Sequence, residues 1–240
     1  MNGFFQHGEA IPTQSVLGLI PYGTGGDTRR TLGIPDDITS AARVLHDGRP
    51  RIIDAGRVTI GGVGGMEPKI SHFINIGETG IGGAVSHQVN QAPKFLGGRA
   101  SFLIGTLIGL ATWRHKPMKV VIDDRETREL VAQAVTVANC QYYGSGMRVT
   151  PKAVPDDGLF DVVITGAVGK LEGLRGLQKI YSGTHFDDPH LSRHLEYFLA
   201  RKVVVSSSEP VMTALDGDLV GTVPATYEIM PGALRVMVPA

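Results

Sequence analysis

The stretch Arg51-Ile52-Ile53-Asp54-Ala55-Gly56-Arg57-Val58 marks the point at which the residue pattern changes and thereby decides the fold. Short runs of β-branched and apolar residues follow it, each bounded by turn residues, as is typical of strands. We predict strands at residues 51–58, 72–76, 119–123, 131–139, 159–165, 202–206, 212–215, 226–230 and 234–238. Two helices interrupt them, one at 101–113 and the other at either 171–180 or 191–200. The sequence therefore predicts a β-rich domain beyond a boundary near residues 46–50.

The residues before this stretch have a different pattern. Residues 15–21 form a short apolar run that predicts a fully buried strand, which leads directly into a glycine turn. A helix at residues 28–32 follows this turn. A second helix begins after the Pro35-Asp36-Asp37 cap, and its predicted apolar face consists of Ile38, Ala41, Ala42 and Leu45. We therefore expect an α/β segment ahead of the β-rich domain.

Composition and charge exclude several classes of protein. The 23 basic and 23 acidic residues cancel, so no nucleic-acid footprint and no strongly polybasic membrane anchor is expected. Cys140 is the only cysteine, which excludes an internal disulfide and fits a reducing cytoplasm. The first residues lack the features of a signal peptide, and no apolar run approaches the roughly 20 residues of a membrane-spanning helix. We expect a cytoplasmic chain with, at most, peripheral membrane contact.

The glycine turn Gly23-Thr24-Gly25-Gly26-Asp27 suits phosphate binding. Glycines let backbone N–H groups approach phosphate oxygens, and the Thr24 hydroxyl adds a donor. Asp27 can then bind a magnesium ion or orient a hydroxyl. The segment matches neither the Rossmann nor the Walker spacing, so a plain strand-to-helix turn capped by Asp27 is the alternative.

Two further segments carry carboxylates at turns. In residues 151–161, Asp157 and several backbone carbonyls precede a strand, and hard cations bind such oxygen sets, although the EF-hand pattern is absent. In Ala214-Leu215-Asp216-Gly217-Asp218, two acids at a tight turn can divide cation binding and proton abstraction between them. For both segments an ordinary Asp-Gly turn is the alternative.

Taken together, these segments resemble the family of bacterial diacylglycerol kinases, sphingosine kinases and related lipid kinases. The glycine turn with Arg29 and residues 32–35 resembles the glycine-rich stretch of that family. Further segments follow in family order and at family-like spacing: Ile53-Asp54-Ala55-Gly56, residues 73–77 with Gly80, Ala138-Asn139 with Gly144, residues 151–159, Gly183-Thr184-His185 and Leu215-Asp216-Gly217. The similarity spans essentially the whole chain.

The resemblance implies an α+β fold with two parts. Residues 1–47 would be a remnant of the α/β, NAD kinase-like ATP-binding domain, and residues 48–240 a β-sandwich that binds the lipid substrate. The implied reaction transfers the γ-phosphoryl group of ATP, with Mg²⁺, to the primary hydroxyl of a diacylglycerol-like or sphingoid lipid at a membrane surface. The sequence leaves the oligomeric state open, a homodimer included.

The same resemblance implies roles for individual residues. The phosphates of the nucleotide would be bound by Gly23, Thr24, Gly25 and Asp27. The catalytic general base would be Asp218, with Asp216 supporting the turn. A structural Mg²⁺ site would be formed by Asp157 and the backbone carbonyls of Val154 and Leu159.

The sequence departs from the family pattern at three points. The Gly-Gly-Asp-Gly-Thr loop that cradles ATP in the family is missing, so we expect a truncated chain that is inactive alone. Asp218 stands where the bacterial enzymes usually have glutamate, and Gly26 stands where asparagine is common. The alternative to a kinase is therefore a catalytically inert β-sandwich module that binds lipid or a partner chain.

Two weaker patterns have ordinary explanations. His185, Asp187, Asp188, His190 and His194 resemble a metal cluster, but no Glu lies between the histidines as in the metalloprotease helix. Residues 113–116 include a tryptophan and basic residues that can touch lipid headgroups. A core tryptophan beside a solvated basic turn is the favoured interpretation.

Overall fold

The computed structural model describes residues 2–23, 26–61, 67–91 and 98–240. The helices are a 3-10 turn at Asn2–Phe4, α1 (Asp27–Thr31), α2 (Ile38–Asp47), α3 (Ile81–Gln91), α4 (Gly98–Thr112), α5 (Lys170–Ser182) and α6 (Pro189–Ser192). The first strands are β1 (Phe5–Gln6), β2 (Glu9–Ala10), β3 (Arg49–Ile60), β4 (Lys69–Phe73), β5 (Ile76–Gly80), β6 (Lys116–Ile122) and β7 (Glu126–Ala138). The remaining strands are β8 (Phe160–Gly166), β9 (Leu195–Ala200), β10 (Lys202–Ser206), β11 (Met212–Leu215), β12 (Asp218–Thr222) and β13 (Ala225–Val238).

Strand β7 connects the two layers of a sandwich. Its first half pairs with β6, which continues through β10, β13 and β3 to β4. Its second half lies between β5 and β8, in a layer that runs from β12 through β11 to β9. The register shifts between Ala132 and Ala134, where β7 passes from one layer to the other. The α+β class with a β-sandwich is therefore confirmed.

The sandwich core is formed by alternate residues of these strands. Val135 and Val137 of β7 and Val162 and Ile164 of β8 belong to a buried apolar cluster that also contains Tyr227 of β13. Because successive side chains of a strand point to opposite faces, the residues between them lie on the outer face of the β5–β7–β8 layer. Helices α3, α4 and α5 lie over this outer face.

The first 47 residues pack against β3 and β13. Phe5, Leu32, Ile34 and Ala41 share one buried cluster with apolar residues of those two strands. Both predicted helices of this segment are confirmed within one residue, and the Asp37 side chain caps α2 by accepting from Ser40 N at 2.7 Å. The predicted domain boundary near residue 47 remains a prediction.

Two expectations for this segment were wrong. Residues 15–21 are not a buried strand: Leu17 makes one isolated parallel bridge with Val236 at the edge of β13, and most of the run is partly or fully exposed. In α2 the buried residues are Ala41 and Val44, whereas Ile38, Ala42 and Leu45 are exposed. The buried stripe of this helix is therefore narrow.

Most predicted strands are present, with two changes. The run at 72–76 is divided into β4 and β5 by a turn at residues 74–75. The last two predicted strands form one long strand, β13, with an irregularity between Met230 and Leu234. Of the alternative helices, 171–180 corresponds to α5, whereas most of 191–200 is strand β9 paired with β8. No helix among the described residues is long and apolar enough to cross a membrane.

Candidate functional site

Asp27 lies at the first position of α1 and is tied to a loop between β7 and β8. Its Oδ2 accepts a hydrogen bond from Ser145 N at 2.8 Å, and its Oδ1 lies 3.5 Å from Arg30 Nε. Burial raises the pKa of the Asp27 carboxyl, while the Ser145 N–H and Arg30 oppose that rise. Gly23 is exposed, and the predicted phosphate-binding residues Thr24 and Gly25 lie outside the described residues.

Gly26 precedes α1 in a left-handed conformation, with φ of +64°. Asparagine is one of the few residues besides glycine that adopt this region readily. The departure at residue 26 therefore leaves the backbone of the turn in a conformation that both residue types accept. What glycine removes is the side-chain amide.

Asp216 organises the turn between β4 and β5. Its carboxylate accepts hydrogen bonds from the backbone N–H groups of Ile74, Asn75 and Ile76, at 2.9, 3.0 and 3.0 Å. Its backbone has a φ of +50°, the left-handed region that a tight turn requires. These contacts agree with the expected supporting role of Asp216.

Asp218 is exposed at the start of β12. It pairs with Leu215, which pairs on its other side with Gly77 of β5. Residues in one such row share a face of the sheet, so Asp218 lies on the face of Gly77 and not on that of Glu78. The structure thus gives the predicted base an accessible carboxylate, on the other face from the cavity described below.

The Asp27 and Asp216 segments meet at neighbouring loops. The Asn75 side chain, in the turn held by Asp216, donates to Tyr142 O at 2.9 Å. Three residues further along that loop, Ser145 binds Asp27. The structure therefore brings these two aspartates to one end of the β5–β7–β8 layer.

Asp157 lies apart from them, in a group of acidic residues. Its Oδ1 accepts from Leu159 N at 3.0 Å, and its charge helps to raise the pKa of both Asp54 and Asp161. For Asp161, burial raises the pKa to about 6. The Mg²⁺ site of Asp157 with the Val154 and Leu159 carbonyls stays a prediction.

Asp54 and Asn139 join the loops around Asp157. The Asp54 carboxylate accepts from Gly158 N at 2.8 Å and from Gly232 N at 2.7 Å. The Asn139 amide donates to the carbonyls of Asp54 and Ile74, both at 3.0 Å. Both residues belong to segments that resemble the family, but the sequence assigned neither of them a role. Their contacts show that each has a structural role.

An apolar cavity of about 150 Å³ lies between the outer face of the β5–β7–β8 layer and the helices. Its floor comes from strand residues, namely Glu78, Gln133, Ala134, Thr136, Val163 and Thr165, which alternate except at the register shift beside Gln133 and Ala134. Its cover comes from α3, α4, α5, α6 and the loops around Tyr143 and His185, with Ile81, Val85, Leu110, Met147, Leu177, Ile180 and Leu191 among the lining residues. Sequence reasoning missed this cavity because its lining is assembled from many separate elements.

Glu78 is the acidic residue of this lining. It is buried, at 5% exposure, and its Oε1 accepts from Gly82 N at 2.6 Å at the start of α3. Burial raises the pKa of Glu78 to about 7, while hydrogen bonds from Gly82 N and the Tyr143 hydroxyl oppose the rise. The sequence signal that would have found it is an acid in the middle of an apolar strand.

The two weaker patterns have structural explanations. His185 is buried with its Nε2 3.0 Å from Val149 O, and the described part of the chain contains no group of three or more histidine, cysteine or acidic residues placed to hold a metal ion. Trp113 packs, partly buried, against the sandwich core. The core interpretation of Trp113 is therefore the better one.

Comparison with known proteins agrees with the fold. Residues 1–58 match the family model of the diacylglycerol kinase catalytic domain, and residues 76–238 match that of the YegS C-terminal NAD kinase beta sandwich-like domain. A putative diacylglycerol kinase from Bacillus anthracis str. Sterne has the same fold, with a TM-score of 0.72 and 22% identity, over 93% of this chain and 68% of that one.

Curated relatives extend the match. The chain is 30% identical over 231 residues to a diacylglycerol kinase of Mycobacterium tuberculosis (strain CDC 1551 / Oshkosh), covering 95% of this chain and 70% of the relative. It is 28% identical to a diacylglycerol kinase of Bacillus subtilis (strain 168), over 95% of this chain and 71% of the relative. The chain therefore belongs to the diacylglycerol kinase and YegS-like family of lipid kinases.

Proposed function

We propose that this chain serves an ATP-dependent lipid kinase that phosphorylates the primary hydroxyl of a diacylglycerol-like or sphingoid lipid. The observation that carries the proposal is the apolar cavity whose lining includes Tyr143, on the same loop that binds Asp27 through Ser145. A site for a hydrocarbon chain and a candidate site for phosphate thus share one loop. The names of the relatives support the same reaction.

The cavity suits a hydrocarbon chain because its lining is mainly apolar. Each CH₂ group that leaves water contributes about 0.8 kcal/mol to binding. Gly173 and Gly176 of α5 allow this helix to lie close to its neighbours: a Cβ at residue 176 would come within 2.9 Å of Leu191. The cover is therefore built to enclose a narrow ligand.

The Asp27 carboxylate near this loop fits the expected chemistry. Asp27 Oδ1 is buried and lies 3.5 Å from Arg30 Nε. A carboxylate offers about four acceptor positions, so Asp27 could also hold a hard cation. When bound, ATP and Mg²⁺ supply the phosphoryl group and neutralise its charge. Asp27 would orient the phosphate end. Asp218 lies on the other face of the sheet from the cavity, so it would accept the proton of a lipid hydroxyl that extends out of the cavity past the edge strand β12.

The outer face of α4 supports contact with a membrane surface. Leu103, Ile104, Leu107 and Ile108 are each at least 40% exposed, and they repeat at the spacing of one helix face. The opposite face of α4 includes the buried Gly105, Thr106 and Gly109, and it packs towards α3 and the cavity. A lipid could pass from a bilayer to the cavity beside this helix.

The kinase proposal is tested with the purified chain, radiolabelled ATP, Mg²⁺ and 1,2-dioctanoylglycerol in mixed micelles. Detectable ATP-dependent formation of phosphorylated lipid would support the kinase and would contradict the expectation that the chain is inactive alone. Asp218→Asn should lower the rate by about 100-fold or more, the usual effect of losing a general base. Glu129→Gln, which removes an exposed carboxylate on β7, is the matched control.

The outcomes separate the kinase from the alternative. Lipid binding without any ATP-dependent product would identify an inert lipid-binding module. If Asp218→Asn leaves the rate of product formation unchanged, the proposed kinase reaction stands and Asp218 is excluded as its general base.

A further inference from the structure

Glu78 faces the cavity because of the alternation along β5. Its neighbours Gly77 and Thr79 face the sandwich core, where Thr79 Oγ1 lies 2.8 Å from the Tyr227 hydroxyl oxygen and a Cβ at residue 77 would meet the Tyr227 ring. Glu78 therefore points to the opposite, outer face. In the register it lies in one row with Thr136 of β7 and Val163 of β8, which also line the cavity.

The space for this carboxylate is provided by Gly82. A Cβ at residue 82 would lie 2.0 Å from Glu78 Oε2 and 2.5 Å from Oε1. No larger residue fits there while Glu78 keeps its position, because real Cβ atoms do not approach other atoms so closely. The first turn of α3 and the glutamate thus fit each other, and the carboxylate is held at the cavity wall.

A structural role alone leaves part of Glu78 unused. Its bond to Gly82 N satisfies an N–H group at the start of α3, which is the ordinary task of a capping acid. A carboxylate offers about four acceptor positions, and its hydrogen bonds from Gly82 N and Tyr143 occupy two. Among the described residues, no lysine, arginine or histidine shifts the pKa of Glu78. In the described part of this site, no protein group occupies the remaining acceptor positions of Glu78, and no cationic side chain balances its charge.

We propose that Glu78 is a recognition residue that accepts a hydrogen bond from a donor group of the bound lipid, a protonated amine in preference to a hydroxyl. This inference rests on the proposed lipid site and specifies its selectivity. Burying a carboxylate without a partner is costly, so a ligand that supplies the donor offsets that cost. An ether or ester oxygen at the same place has no proton to donate.

The test compares three probes with one chain length: decylamine, 1-decanol and decyl methyl ether, each titrated calorimetrically into the chain at pH 8. In the wild type we expect the amine to bind best and the ether worst. Glu78→Gln keeps the size of the side chain and an oxygen for Gly82 N. It should weaken decylamine binding by at least about 10-fold, since hydrogen bonds to charged groups are the stronger ones, and leave the ether within about 2-fold.

Two controls separate this inference from the lipid site itself. Ala134→Leu adds volume to the cavity floor and should weaken all three probes, whereas Glu129→Gln should change none. If the probes bind at the cavity and Glu78→Gln weakens all three equally or none, the selectivity is refuted and the lipid site stands. If Ala134→Leu has no effect on any probe, or the wild type binds none, both proposals fail. A purely capping role of Glu78 cannot produce a change confined to the donor-bearing probes.

Discussion

Replacing Glu78 by glutamine should stabilise the folded chain, and the gain should grow with pH. The side chain is buried at 5% exposure in a mainly apolar wall, where the charged form is disfavoured. A pKa of about 7 in the folded chain, against the ordinary value of 4.5, corresponds to about 3 kcal/mol. Glutamine carries no charge, and its oxygen can still accept from Gly82 N.

The sign follows from proton linkage. Because folding raises the pKa of Glu78, its protonated form stabilises the native chain fully below pH 4.5. Between pH 4.5 and about 7 the unfolded chain loses the proton first, and this contribution is lost. The variant and the wild type should therefore be similar in stability near pH 4, whereas above pH 7 the variant should gain up to about 3 kcal/mol.

The assay is urea unfolding followed by circular dichroism at several pH values between 4 and 8. The difference between the two proteins removes the contribution of Asp161, which also has a raised pKa and is present in both. A difference in unfolding free energy that is flat across this range would refute the argument, as would a variant less stable than the wild type at pH 8.

Three further substitutions test other parts of the structure. Asp216→Ala removes the acceptor of three backbone N–H groups and should lower the free energy of urea unfolding by about 2–4 kcal/mol. Asp216→Asn keeps one oxygen and should lower it less. Equal losses in the two variants would contradict the role of the carboxylate as acceptor. Asp37→Ala should lower stability by about 1 kcal/mol through loss of the α2 cap, and a neutral result would show that Ser40 N finds water instead. Leu107→Glu should reduce sedimentation of the chain with phospholipid vesicles about tenfold. The control Ile52→Glu, at an exposed residue of β3, should not reduce it. Equal reductions in the two variants would exclude a specific contact of α4 with the membrane.

Local signals were sufficient for much of the fold. The start of α2 could be predicted because its cap is a contact between residues three apart, and strands such as β10 and β11 because their apolar runs are bounded by turns. The break at residues 74–75 could not be predicted. Its cause is the carboxylate of Asp216, about 140 positions away, which takes the N–H groups of three successive residues.

The same distinction holds for β9 and for the candidate site. Residues 195–200 have a pattern compatible with a helix, but they form strand β9 because they pair with β8. The motifs that contain Asp27 and Asp216 could be quoted from the sequence, and the structure brings them to neighbouring loops. The cavity with Glu78 could not be predicted, because four strands, four helices and the loops between them supply the described part of its lining.

The alternation along β7 and β8 separates the fold from the pocket at the level of single positions. Val135, Val137, Val162 and Ile164 hold the sandwich together, whereas Thr136 and Val163, the positions between them, face the cavity. Substitutions confined to those intervening positions can change the shape and polarity of the cavity while the core of the sandwich stays intact. Selection experiments on this family can accordingly be restricted to a small library in which every second codon of two strands is varied.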